Sequence, residues 1–137
     1  MHKLVLGLAL VILISTASFS ERAIAGNATP YPGTEVIATK YSFGQLRTRL
    51  EPPIEKSGMY VVTSASAGAK HRGIKILGNL VLGVYRNDFA VRMLKASVPS
   101  GIEAPLRFYV KENADATATL TYRKPSAIFG VCDSSDL

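Results

Sequence analysis

Tryptophan is absent from this sequence of 137 residues, cysteine occurs once and histidine twice. A lone cysteine, Cys132, cannot close an internal disulfide or form a Cys-x-x-Cys redox pair, which excludes a disulfide-stapled mini-protein. Thiol reactivity needs surroundings that lower the pKa, so Cys132, close to the end of the chain, is read as a bystander rather than a bridge to a partner. Zinc sites draw on several His and Cys ligands at fixed spacings. Once His2 is assigned to a leader, His71 is the remaining histidine, and neither a His-x-x-x-His pair nor an alternating Asp/Asn calcium loop occurs. No metal and no cofactor is expected. Long apolar runs are scarce too: residues 4–14 form an apolar-and-glycine run about half the length of the ~20 residues that a membrane-crossing helix needs.

That short run has a recognisable setting. His2 and Lys3 precede it, and Ala23-Ile24-Ala25 follows, the order of a secretory signal with a small-x-small cleavage site. Residues 1–25 are therefore expected to be an export leader, leaving no transmembrane segment after cleavage and placing the protein in the periplasm or outside the cell. Residues 26–34, with Pro30 and Pro32, read as a flexible lead-in, residues 35–130 as a single domain, and residues 131–137 as a tail. The chain carries 16 Lys+Arg against 10 Asp+Glu. Such a surplus favours anionic partners, yet export disfavours nucleic acid, and the charges are scattered rather than blocked, as on a solvated surface.

Periodicity predicts the order β-α-β-β-α-β-β. Residues 36–41 are rich in β-formers. Ser42-Phe43-Gly44-Gln45 has the form of a capping box, and Phe43, Leu46, Leu50 and Ile54 follow at helical spacing. Pro52-Pro53 predicts that this helix ends near Glu51 or kinks, with Gly58 as terminator. Residues 59–64 and 76–85 read as strands, the latter buried on both faces from Leu80 onward. Asn87 is expected as an N-cap, with Asp88 in the first turn. Phe89, Met93 and Ala96 form the inward stripe of the second helix, flanked by Val91, Leu94 and Val98. Leu106, Phe108 and Val110 alternate with Arg107, Tyr109 and Lys111; residues 117–123 alternate too, and the Asn113–Ala116 turn between them predicts a hairpin. The fold class is α+β, with helices packed on one face of a mostly antiparallel sheet. A split βαβ arrangement of the ferredoxin kind is the competing topology.

Chemistry is thinly marked. The loop of residues 68–75 holds Lys70, His71, Arg72 and Lys75, four cationic or potentially cationic groups that could bind a small anion. Its Gly-x-x-x-x-Gly spacing lacks the Lys-[Ser/Thr] of a phosphate loop, and exposed charge runs usually do no more than face water. Glu51 and Glu55 are separated by the two prolines, Asp133 and Asp136 lie in the tail, and no Gly-x-Ser-x-Gly elbow marks a nucleophile. No catalytic residue is assigned. Tyr85, Phe108, Tyr109 and Tyr122 lie on strands, where packing is the commoner role than a stacking platform.

With these segments in place, residues of about 36 to 129 resemble the domain-of-unknown-function 302 family. The resemblance is carried by residues 73–79, 81–86 and 92–94, by Gly101-Ile102-Glu103-Ala104-Pro105-Leu106-Arg107-Phe108-Tyr109-Val110, and by Tyr122-Arg123-Lys124-Pro125-Ser126. It implies a compact α+β domain, often self-associating and frequently exported, with no established reaction, cofactor or catalytic residue. It also implies a closing helix after the last strand, which residues 133–137 do not supply, and a turn glycine where Ala116 stands. The expectation is a small exported, non-catalytic binding or interaction module of the cell envelope, favoured as a homodimer. An anion-binding or minor enzymatic role at Lys70, His71, Arg72 and Lys75 is the alternative.

Overall fold

The computed structural model describes residues 29–66, 73 and 76–133. Five strands form one antiparallel sheet: β1 (Thr34–Ala38), β2 (Tyr60–Ala65), β3 (Asn79–Tyr85), β4 (Leu106–Glu112) and β5 (Ala118–Arg123). Their spatial order is β1-β5-β4-β3-β2. The expected α+β class and element order hold. The split βαβ alternative does not, since β1 takes one outer edge and β2 the other. The proposed leader, residues 1–25, and the first three residues of the lead-in, 26–28, lie outside the described residues.

This strand order makes a demand on α1 (Phe43–Lys56). It connects the two opposite edges of the sheet and so must cross its full width. Fourteen residues give about 21 Å of helix, and four inter-strand gaps give about 19 Å. Leu46, Leu50 and Ile54 are buried and lie over Leu80, Leu82 and Val84 of β3, Val110 of β4, and Ala118 and Leu120 of β5. Phe43, Phe108 and Val61 close the margins of this core.

Both ends of α1 match local expectation. Gln45 N–H donates to Ser42 Oγ at 3.4 Å, while Ser42 N–H donates to Gln45 Oε1 at 3.1 Å, completing the capping box. At the other end Gly58, at φ +74°, follows Ser57 and lets Gly58 N–H reach Glu55 O and Met59 N–H reach Ile54 O. That pair of bonds is a Schellman termination. The prolines do not end the helix near Glu51, however, and α1 continues through them to Lys56. Pro52 and Pro53 lie on the exposed side, as do Thr48 and Arg49, whose carbonyls lose their usual donors to water rather than to an apolar surround. Burial of Ile54 beyond the prolines holds the last turn in place.

The second helix, α2 (Asn87–Ala96), departs from expectation at its start. Arg86, not Asn87, occupies the N-cap position, and no side chain caps the turn. Asp88 is in the first turn as expected, gripped by Arg86 through Nε–Oδ1 at 2.7 Å and Nη2–Oδ2 at 2.8 Å. The buried face is Ala90 and Met93, continued by Ser97. Phe89 is exposed instead of facing the core; the Arg86 guanidinium lies 4.1 Å from its ring centroid, a cation–π contact that partly covers the ring.

A 3-10 turn over Pro99–Glu103 packs against α2, and a short helix, α3 (Pro125–Phe129), follows β5 and packs against that turn. Ile128 of α3 is buried. A closing helix thus exists, a little over one turn long. The tail begins ordered: Ser97 Oγ donates to the Asp133 carboxylate, and Cys132, a free thiol, lies partly buried beside Ile128 O.

The expected hairpin joins β4 and β5, with Val110 opposite Leu120. Asn113 Nδ2 donates to Thr117 Oγ1 at 2.9 Å and Thr119 Oγ1 at 3.0 Å. Asp115 Oδ1 accepts from Thr117 N–H at 3.0 Å and from its hydroxyl at 2.6 Å. Ala116 takes φ 65°, the left-handed conformation that a glycine would adopt freely.

Candidate functional site

Lys70, His71, Arg72 and Lys75 lie outside the described residues; of that loop only Gly73, at φ +66°, is described. The four strand aromatics do not share a platform. Phe108 and Tyr122 pair at 5.4 Å between ring centroids on the α1 side, whereas Tyr85 and Tyr109 alternate to the reverse face. Among the described residues no three His, Cys, Asp or Glu side chains cluster as a metal site, and no helix is long and apolar enough to cross a membrane.

The reverse face of the sheet carries a feature that spacing alone did not reveal. Strand register aligns one row of residues from edge to edge. Thr34 of β1 pairs with Arg123 of β5, Arg107 of β4 pairs with Gly83 of β3, and Gly83 pairs with Thr63 of β2. The β4–β5 register, in which Phe108 faces Tyr122, sets Arg107 beside Arg123 one step further along. Two like charges in neighbouring cross-strand positions repel. Gly83 brings no side chain of its own, and the ground over it is taken by Thr63 Oγ1 and by Pro105 Cγ, the latter 2.8 Å from where a Cβ would be.

Arg107, Arg123, Glu103 of the 3-10 turn and Ile128 of α3 line a cleft of about 30 Å³, room for a water molecule or a small polar group. The bonds of Arg123 are sparse. Nη2 donates to Ala127 O at 3.3 Å, Tyr31 stacks at 5.9 Å, and the shielded Nε has no acceptor among the described residues. Thr34 Oγ1, its cross-strand neighbour, is likewise buried without a partner. Ion pairs among the described residues are Arg86–Asp88 and Lys124–Glu35; Glu103 pairs with neither arginine. Alternation had placed Arg107 on the polar side of β4, but neither its proximity to Arg123 nor the 3-10 turn above them could be read without the register.

A second surface is apolar. Val91 and Leu94 on α2, Val98 beyond it and Ile102 on the 3-10 turn are 44%, 43%, 73% and 87% exposed. Leu94 lies against Gly101, 3.2 Å from where a Cβ would be, so helix and turn join in one stripe. Asp88 and Lys95 are on the same helical face, at seven-residue spacing.

Comparison with known proteins agrees with this fold. The family model described as "Domain of unknown function DUF302" matches residues 35–137. The crystal structure of an uncharacterized conserved protein DUF302 from Bacillus stearothermophilus is similar, with a TM-score of 0.65 and 19% identity, over 73% of this chain and 80% of that one. At that identity the likeness speaks for the fold. No curated protein matches.

Proposed function

The chain belongs to the DUF302 family, and on that premise we propose that it is an exported, non-catalytic binding or interaction module of the cell envelope that works as a homodimer. The exposed stripe of Val91, Leu94, Val98 and Ile102 carries the reading. Contiguous exposed apolar side chains are costly in water and mark interaction surfaces. The partner that fits is a second copy. An isologous interface needs a self-complementary patch, and two α2 helices crossing antiparallel about Val91 bring Asp88 of each copy opposite Lys95 of the other, with Leu94 near the centre.

The oligomeric state tests this. Sedimentation equilibrium is expected to find a dimer, and Leu94→Lys to return it to a monomer without loss of folding, because Leu94 is half exposed already. Alanine at Lys70, His71, Arg72 and Lys75 is expected to leave association unchanged. A monomeric wild-type chain would overturn the dimer. Export has its own test: protein recovered from the envelope or medium is expected to begin at Gly26.

A further inference from the structure

We propose that the cleft between Arg107 and Arg123 is a binding site for a small oxyanion, a carboxylate or phosphate group, on the face of the sheet away from α1. The inference is independent of the apolar stripe and of the dimer. Three observations meet at one place. Two guanidinium groups occupy adjacent cross-strand positions, an arrangement that repels until an anion is shared between them. Among the described residues, the donors of Arg123 are sparsely used: Nη2 makes one hydrogen bond, Nε has no acceptor, and Thr34 Oγ1 beside it has no partner. Such orphaned donors are uncommon in folded proteins and costly to leave unmade.

The chemistry of the lining selects the ligand. Planar guanidinium forks match the geometry of carboxylate and phosphate oxygens. Glu103, the one carboxylate of the cleft, offsets a single charge and forms an ion pair with neither arginine. The cleft therefore keeps one net positive charge, suited to a singly charged oxyanion, and Glu103 can accept from a hydroxyl or amino group that the ligand carries beside its anionic oxygens. Arg123 lines the cleft and is held there by a side-chain hydrogen bond of 3.3 Å from Nη2 to Ala127 O. A volume of about 30 Å³ fits a group of a few atoms, the anionic head of such a ligand.

Isothermal titration calorimetry of the full chain with sodium phosphate and with sodium acetate, each against sodium chloride at matched ionic strength, tests the site. Binding of at least one anion beyond chloride is expected, and comparing the two separates a phosphate from a carboxylate site. Arg107→Gln, at an exposed strand position, is expected to weaken binding about tenfold or more, the effect of one charge-assisted hydrogen bond. Its thermal midpoint without anion should equal or exceed that of the wild type, because a repulsion is removed. Absence of binding over chloride overturns the site, as does undiminished binding in Arg107→Gln. Anion binding lost instead on alanine replacement of Lys70, His71, Arg72 and Lys75 would assign it to that loop and overturn the cleft.

Discussion

Ala116 holds φ 65° in the β4–β5 turn, a conformation that brings Cβ close to the following carbonyl oxygen and costs an L-residue roughly 1–2 kcal/mol. Ala116→Gly relieves the strain and adds unfolded-state entropy that offsets part of the gain. A net rise of about 0.5–1 kcal/mol is expected in denaturant unfolding. One residue earlier, the hydroxyl and N–H of Thr117 hold the Asp115 carboxylate below its ordinary pKa. A depressed carboxylate contributes stability at pH values above its unfolded pKa and loses it as pH falls through the folded one. The thermal midpoint is thus expected to fall below about pH 4. Asp115→Asn keeps the accepting oxygen but cannot titrate, so its midpoint should fall less steeply over the same range. Asp88, held low by Arg86, adds a parallel contribution that this variant leaves intact.

Among the elements, α1 shows propensity overridden by packing. Pro52 and Pro53 remove two helical hydrogen bonds and would stop an isolated peptide helix. In the folded chain Ile54 is 6% exposed and belongs to the core; unwinding the last turn would expose it. The Pro52→Ala, Pro53→Ala double variant regains both hydrogen bonds at exposed positions. It is expected to be more stable than wild type by about 1–3 kcal/mol in urea unfolding, with unchanged strand content. The ends of α1 follow their local signals, since a capping box and a terminal glycine act within one turn of the chain. The start of α2 does not follow its signal: Asn87 has the right chemistry for a cap, but the Arg86–Asp88 pair and the burial of Ala90 and Met93 set the helix one residue earlier.

For the molecule as a whole, a strand order with β1 and β2 on opposite edges requires a helix long enough to cross the sheet, and α1 meets that length. The crossing puts α1 on one face, while on the other Glu103 of the 3-10 turn and Ile128 of α3 stand beside Arg107 and Arg123. If the stripe on α2 is a dimer contact, folding is linked to association and the thermal midpoint rises with protein concentration. Differential scanning calorimetry over a hundredfold concentration range is expected to show this rise in the wild-type chain and a flat response in Leu94→Lys.

Strands, the two ends of α1 and the hairpin were legible in the residues because each depends on neighbours a few positions away: alternation over 106–112, Ser42 with Gln45, Gly58 after Ile54. The class of fold followed from their order. Strand order, the passage of α1 through two prolines, and the outward turn of Phe89 were settled by contacts between distant segments. So was the meeting of Thr34, Arg123, Arg107 and Gly83 in one row. Register joins residues that are far apart in the chain, and no local spacing encodes which arginine will stand next to which.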